Sequence, residues 1–191
     1  MNTPLPSYFV GIGGSAGGLV AYKAFLDALS PRTGMVFVIV FHILPTAISQ
    51  LVDILSERTQ MPVSFASDAM QVQANNVYVS SPNTDLTIEN DAFTVVTPRA
   101  KRNTQVDLFF TSLALAKGPK AIGIIFSGYD GDGAKGCRDI KAKGGTVFAQ
   151  DASAEVQGMP LSAQATGCVD YVLSPEKIAD RLQIMAKESR L

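Results

Sequence analysis

The sequence predicts an α/β fold, namely a doubly wound three-layer α/β/α domain with about seven mostly parallel strands and a β-hairpin insert. Short apolar runs alternate along the chain with stretches in which apolar residues recur at helical spacing. The runs are rich in β-branched residues and uninterrupted by polar ones, which is typical of strands covered on both faces. Since no repeat, low-complexity tract or linker divides the chain, we expect residues 1–191 to form a single domain.

The first third of the chain shows the strand-helix alternation twice. Residues 8–13 form an apolar run that ends in glycines, and residues 35–41 form a second, fully apolar run. A helix-spaced stripe follows each of them, and the stripes consist of Leu19, Tyr22, Leu26 and Leu29, and of Ile48, Leu51, Val52 and Leu55. These segments predict two successive strand-helix units.

A hairpin interrupts this alternation in the middle of the chain. Short strands are predicted at residues 63–65 and within "NNVYVSSP". Two further β-prone runs then flank Asn90-Asp91, which is a turn sequence that connects antiparallel strands.

The second half returns to alternating helices and strands. Helices are predicted over residues 106–116, from about Ala134 to Gly144-Gly145, from Pro160, and from Pro175 to about Lys187 with Ser174 as N-cap. Strands are predicted at residues 121–126, 146–149 and 169–173. In such a sheet, functional groups gather in the loops beyond the carboxyl ends of the strands.

Composition excludes several classes of partner. The 16 basic and 17 acidic residues nearly cancel, so we expect neither nucleic acid nor an anionic membrane surface as a partner. No apolar run approaches the roughly 18–20 residues that span a bilayer, which predicts no direct membrane insertion. Cys137 and Cys168 have no disulfide or metal spacing, so both are expected to be core residues of a cytoplasmic protein. One histidine and scattered carboxylates predict no metal site, and no cofactor is expected.

The segment "FVGIGGSAGGL" admits two interpretations. Residues 11–16 fit the pattern G-x-G-x-x-A, in which glycines let a backbone approach the pyrophosphate of a dinucleotide. Residues 13–17 fit G-x-S-x-G, in which a sharp strand-to-helix turn presents Ser15 as a nucleophile. A dinucleotide site also requires an acidic residue after the second strand, where this chain has its single histidine, His42.

A histidine at that position favours the nucleophile. A serine hydroxyl needs a base to accept its proton, and loops that follow neighbouring strands can bring Ser15 and His42 together. A carboxylate that orients the imidazole would complete a triad, and Asp130 and Asp132 in "SGYDGDG" are both candidates. Taken alone, Asp132 is equally suited to capping the helix that follows it.

These motifs resemble the catalytic domain of the chemotaxis methylesterases, the CheB family. The resemblance rests on Gly13-Gly14-Ser15-Ala16-Gly17-Gly18, on His42 with Pro45, and on the loop at residues 127–133. It extends over "NNVYVSSPNTDL", "VDLFFTSLA", "VFAQDASAEVQGMPLSAQATG" and "VDYVL". It implies a Ser-His-Asp hydrolase that releases methanol from γ-glutamyl methyl esters on the cytoplasmic helices of chemoreceptors. Some members also deamidate receptor glutamines.

The resemblance assigns Ser15 as the nucleophile, His42 as the base and Asp132, rather than Asp130, as the orienting carboxylate. For the oxyanion we expect the backbone amides of Ala16 and Tyr129 as donors. Met159, in the "QGMP" turn shared with the family, is a candidate wall of the substrate cleft.

The resemblance also gives expectations about regulation and about partner modules, and alternative functions are kept beside it. Many family members carry an N-terminal receiver domain, which these residues do not include, so phosphorylation control within the chain is not expected. The sequence also resembles versions fused to a methyltransferase and sensory modules, which are candidate partners in a larger protein. The alternatives to the esterase are a nucleotide- or dinucleotide-binding α/β domain and a non-catalytic interaction module of a sensory signalling protein.

Overall fold

A central sheet of seven parallel strands carries helices on both faces in the computed structural model, which describes residues 5–41 and 50–189. The strands are β1 (Phe9–Gly14), β2 (Val36–Phe41), β3 (Val63–Phe65), β4 (Val77–Val79), β5 (Asp85–Glu89), β6 (Ala92–Val96), β7 (Ala121–Ile125), β8 (Thr146–Gln150) and β9 (Tyr171–Leu173). The helices are α1 (Gly18–Ala28), α2 (Leu51–Ser56), α3 (Gln105–Lys117), α4 (Ala134–Ala142), α5 (Gly158–Ala165) and α6 (Pro175–Glu188).

The strand order in the main sheet is β3-β4-β2-β1-β7-β8-β9, and every pairing in it is parallel. β1 therefore lies at the centre, between β2 and β7. The strand order reverses on either side of β1, and ligands in doubly wound sheets bind beyond the carboxyl ends of the strands at such a point. The predicted three-layer fold is confirmed.

The hairpin is confirmed as a separate two-stranded antiparallel element made of β5 and β6. Its two-residue connection is Asn90-Asp91, and both residues have positive φ, 49° and 62°. Positive φ at both central positions defines a type I′ turn, whose twist matches that of the paired strands.

Each face of the sheet has its own apolar core. Val10 and Ile12 of β1 point into the layer that contains α1, α2 and α6, whereas Phe9 points into the layer that contains α3, α4 and α5. The uninterrupted apolar strands are explained by this double burial.

Glycines allow α3 to lie unusually close to the sheet. A Cβ added to Gly11 would come within 2.8 Å of Phe110 Cε1, and one added to Gly13 within 2.4 Å of Val106 Cγ1. Gly123 of β7 lies opposite Gly11 and is covered by Phe110 as well. The N-terminal end of α3 is thereby held against the sheet beside the end of β1.

Several local predictions can be compared with the structure. The Ser174 hydroxyl caps α6 by accepting the Lys177 N–H at 3.5 Å, as predicted. α5 begins at Gly158, two residues before the predicted start at Pro160. Pro160 therefore lies within the first helical turn, where its missing N–H would have no partner in the helix. Cys137 is a core residue, but Cys168 is only half-buried, so its core assignment was wrong. Ile48 lies outside the described residues.

The contact between Gly13 and Val106 predicts the effect of adding one methyl group. Gly13→Ala should lower the free energy of unfolding by about 1–3 kcal/mol, because Val106 must move away from the sheet. Chemical denaturation measures this change. In the control Gly131→Ala, the nearest atom to the new Cβ would be Ser162 Oγ at 3.6 Å, so little change is expected. Equal stability of the two variants would contradict the close-packing account.

Candidate active site

Ser15 lies in the turn that joins β1 to α1, at the carboxyl edge of the sheet. Its N–H donates to Ser127 O at 2.8 Å, and its carbonyl accepts the Gly18 N–H at 2.9 Å. Gly17 has a φ of 74°, and a Cβ there would come within 2.5 Å of Ser127 Oγ. The turn therefore requires a glycine at this position both for its backbone conformation and for space.

The remaining glycines of the segment have packing roles. Gly11 and Gly13 lie inside β1, where α3 covers them, and not in a loop that could cradle a phosphate. A Cβ on Gly14 would come within 2.5 Å of the Tyr22 hydroxyl, which lies buried behind the turn. Burial raises the pKa of Tyr22 well above its usual range, so this hydroxyl stays neutral. The placement of Gly11 and Gly13 inside a strand departs from the dinucleotide pattern.

Ser127 joins the turn to two other segments. Its hydroxyl donates to Ala16 O at 2.7 Å and accepts the Val156 N–H at 2.9 Å, while its own N–H donates to Gln150 Oε1 at 3.0 Å. The side chain is fully buried. The sequence indicated this residue only as the start of a glycine-rich loop. Its partners Ala16 and Val156 lie in distant segments, so no local pattern pointed to this role.

Gly128 brings the loop after β7 against Ser15. A Cβ on Gly128 would come within 3.2 Å of Ser15 Cβ and within 2.1 Å of Met159 Sδ. The Gly128 N–H donates to Val156 O, and its carbonyl accepts the Met159 N–H. Met159 is 1% exposed, so the structure places it behind Gly128 as a support for the loop.

Tyr129 follows at the surface, and its side chain is 76% exposed. Of the amides around the turn, Ser15 and Gly128 donate to carbonyl oxygens. Within the described ranges, the N–H groups of Ala16 and Tyr129 take part in no backbone hydrogen bond. The two amides predicted for an oxyanion site are therefore not used in the backbone hydrogen bonds that build the loops.

The structure distinguishes the two candidate acids. Asp132 is 4% exposed, and its carboxylate accepts the N–H groups of Val106 at 2.9 Å and Asp107 at 2.8 Å, one on each oxygen. Asp130 is half-buried, and its carboxylate accepts the Asp132 N–H at 3.1 Å. The carboxylate of Asp132 is buried and fixed by two N–H groups, whereas the carboxylate of Asp130 binds the backbone N–H of Asp132. Asp132 does cap a helix, but the helix is α3 rather than α4, which follows it.

Asp107 caps α4 in return. Its Oδ1 accepts the N–H of Gly133 at 3.0 Å and that of Gly136 at 2.8 Å. Burial raises the pKa of Asp107, and the charge of Asp132 adds to this, while the two amide hydrogen bonds and Lys135 oppose it. Sequence reasoning missed this residue, although an acidic residue in the first turn of a helix is a recognised capping signal.

His42 lies outside the described residues, as does Pro45. The register nevertheless fixes where the chain leaves β2, because Phe41 lies opposite Gly14 in the pairing of β2 with β1. The chain after β2 therefore starts at the same edge of the sheet as the turn that carries Ser15. The predicted neighbourhood of these two strands is confirmed.

Metal ligation and membrane crossing find no support among residues 5–41 and 50–189. No group of three or more His, Cys, Asp and Glu side chains in the described ranges is arranged to hold a metal ion. Among the same residues, no helix has the length and apolarity needed to cross a membrane.

Comparisons with known proteins agree over nearly the whole chain. A family model described as CheB methylesterase matches residues 10–182. A Leptospira interrogans protein provisionally named protein-glutamate methylesterase/protein-glutamine glutaminase is 36% identical over 173 residues, which cover 88% of this chain and 90% of that protein. A Mesorhizobium japonicum protein of the same two activities by name is 34% identical, with 94% of this chain and 54% of that protein covered. The crystal structure of the Thermotoga maritima CheB methylesterase catalytic domain matches with a TM-score of 0.86 and 28% identity, over 94% of this chain and 98% of that one.

The junction at Ser127 yields a prediction about stability. Ser127→Ala removes the hydrogen bonds to Ala16 O and from the Val156 N–H in a fully buried position, so unfolding should cost about 1–3 kcal/mol less. Thermal or chemical denaturation measures the loss. Ser56→Ala, which deletes an exposed hydrogen bond within α2, should change stability by less than about 0.5 kcal/mol. Similar losses in both variants would rule out the junction.

Proposed function

Because this chain belongs to the CheB methylesterase family, we propose that it hydrolyses γ-glutamyl methyl esters of chemoreceptors with Ser15 as nucleophile, His42 as base and Asp132 as orienting carboxylate. The observation that carries the proposal is the convergence of two loops at one edge of the sheet. Gly128, in the loop that ends with Asp132, packs directly against Ser15. His42 enters from the sequence, since it follows β2 at the same edge.

The proposed reaction proceeds through an acyl-enzyme. The Ser15 hydroxyl attacks the ester carbonyl while the His42 imidazole accepts its proton. The tetrahedral intermediate collapses as methanol leaves with that proton, and a glutamyl ester of Ser15 remains. Water attacks this ester with the same imidazole as base, which releases the glutamate carboxylate and restores Ser15.

Preorganised amides stabilise the oxyanion in this proposal. The N–H groups of Ala16 and Tyr129 are the donors, since the amides directly before them, those of Ser15 and Gly128, are occupied by hydrogen bonds that shape the loops. Losing one such donor typically costs roughly 3–4 kcal/mol of transition-state stabilisation. The N-terminus of α1, which begins at Gly18, adds a favourable dipole close to the developing charge. Met159 contributes indirectly, by supporting Gly128 from behind.

Asp132 has the environment that an orienting carboxylate needs. Two N–H groups at the N-terminus of α3 donate to its oxygens, so the buried carboxylate has hydrogen-bond partners and a fixed position. A fixed, charged carboxylate can hold one imidazole tautomer and stabilise the imidazolium that forms during attack.

The substrate and the wider protein belong to the same proposal. We place the substrate on the methylated cytoplasmic helices of chemoreceptors, and we include receptor glutamines, which the same triad would deamidate with release of ammonia. Residues 1–191 act as one methylesterase domain, and a methyltransferase or sensory module is a candidate partner when the domain is part of a larger protein. The match to about half of the Mesorhizobium japonicum protein supports that possibility of a larger context.

The nucleophile is tested by methanol release from methylated receptor membranes. Ser15→Ala should lower turnover by about 10⁴-fold or more, because the acyl-enzyme cannot form. Ser56→Ala, on the exposed side of α2, should retain the wild-type rate. An equally active Ser15→Ala protein would exclude this serine, and a wild type that binds receptor but releases no methanol would favour the interaction module.

The choice of acid is tested by a pair of isosteric variants. Asp132→Asn should lower turnover by about 10⁴-fold, since an amide cannot hold the reactive tautomer or stabilise the imidazolium. Asp130→Asn keeps an oxygen that can accept the Asp132 N–H, so its rate should fall far less. Steady-state rates on the same membranes give the comparison, and the reverse ranking would transfer the role to Asp130.

A further inference from the structure

Reciprocal hydrogen bonds between the starts of α3 and α4 fix the carboxylate of Asp132. Its oxygens accept the N–H groups of Val106 and Asp107, which lie in the first turn of α3. The side chain of Asp107 returns from that turn to accept the N–H of Gly133, the residue directly after Asp132. The side chain of Asp132 is therefore held from α3, and the peptide that follows it is held by Asp107 through the Gly133 N–H.

Resting on the proposed function, we propose that Asp107 is a positioning residue for the esterase reaction, which sets the place of the Asp132 carboxylate through the N-terminus of α4. In the described structure its carboxylate accepts hydrogen bonds from the backbone of Gly133 and Gly136 and not from the turn that carries Ser15. It acts through Asp132 and does not touch the reacting atoms.

The packing around these bonds leaves little room for adjustment. Gly133 has a φ of 96°, and a Cβ there would come within 2.5 Å of Ile125 Cδ1 and 2.8 Å of Val106 Cγ1. A Cβ on Gly136 would come within 2.4 Å of Phe110 Cβ. The backbone at the start of α4 therefore packs directly against side chains of α3. A shift of α4 would for this reason be transmitted to Asp132, which directly precedes Gly133. Displacements of about 1 Å at a catalytic group can lower rates on the order of 100-fold.

Position and charge of Asp107 can be separated by substitution. In Asp107→Asn the amide oxygen still accepts both N–H groups while the charge is lost. In Asp107→Glu the charge remains, but one more methylene displaces the acceptor. Asp132 and Lys135 are the charged groups that influence Asp107, and Asp107 in turn raises the pKa of the buried Cys137 thiol. A role in charge would therefore make the asparagine variant the poorer enzyme, whereas a role in position makes the glutamate variant poorer.

Asp139 provides a matched control. It also links α3 to α4, since its carboxylate accepts the Thr111 hydroxyl at 2.7 Å and the Lys135 ammonium at 2.8 Å, but it makes no bond to Asp132 in the described structure. Asp139→Glu makes the same chemical change in the same pair of helices. It should disturb their packing without moving Asp132.

The experiment measures kcat and KM for methanol release from methylated receptor membranes, with Ser15→Ala as the blank. Asp107→Glu should lower kcat on the order of 10- to 100-fold with KM unchanged, whereas Asp107→Asn and Asp139→Glu should remain close to wild type. Should Asp107→Glu fail to fold, Asp107→Ser, whose hydroxyl is too short to reach both amides, takes its place under the same criteria.

Three results would overturn the inference: a glutamate variant with wild-type kcat, an asparagine variant that loses as much as the glutamate variant, or equal losses in Asp139→Glu. Each of these leaves the proposed function standing so long as the wild type is active and the Ser15→Ala blank is not. Activity in that blank, or none in the wild type, is instead a failure of the proposed function.

Discussion

The close approach of α3 to the centre of the sheet is the contact on which the candidate site depends. Gly11 of β1 and Gly123 of β7 lie side by side in the sheet, and the ring of Phe110, joined by Ile140 beside Gly123, occupies the space that their side chains would fill. The Phe110 side chain meets Gly136 of α4 on its other flank. One aromatic residue thus sets the spacing of three elements, because interiors packed at this density do not absorb an added methyl group without displacement.

This spacing has an electrostatic consequence. It brings the first turn of α3, with its unpaired N–H groups, to the carboxyl edge of the sheet, where Asp132 lies buried. Burying a carboxylate is costly unless hydrogen-bond donors meet its oxygens, and the N–H groups of Val106 and Asp107 supply two such donors. Packing and charge are therefore linked, since a helix that lay farther from the sheet would leave Asp132 without its donors.

Features set by neighbouring residues were predictable from the sequence, and those set by distant ones were not. The type I′ hairpin at Asn90-Asp91 and the Ser174 cap depend on residues within a few positions, so their patterns indicated them correctly. Gly11 and Gly13, by contrast, matched a phosphate-binding pattern in the local sequence. The residues that require glycine there, Phe110 and Val106, lie about a hundred positions away in the chain, so the sequence could not reveal the packing role.

The same limit applied to the site. The glycines around Ser15 indicated the turn, and "SGYDGDG" indicated a loop with an acid, but the pattern could not choose between Asp130 and Asp132 because both lie in that loop. What separates the two in the structure is that the Asp132 carboxylate meets the first turn of α3, and Asp107 caps α4 only because α3 and α4 begin side by side. Periodicity shows which face of a helix is buried, but it does not identify the element against which that face packs.

The loop at residues 127–133 is the common reference for the groups that the structure describes. Its first residue binds the turn of Ser15 through both its backbone and its hydroxyl, and Gly128 packs against Ser15 itself. Asp132 lies near its other end, where α3 and α4 hold it. Since the loop runs from a buried strand directly into a helix, both of its ends are anchored in regular structure. The separation of Ser15 and Asp132 is therefore set by a few residues rather than by the whole fold, and such anchoring is what holds the groups of a functional site in a fixed geometry.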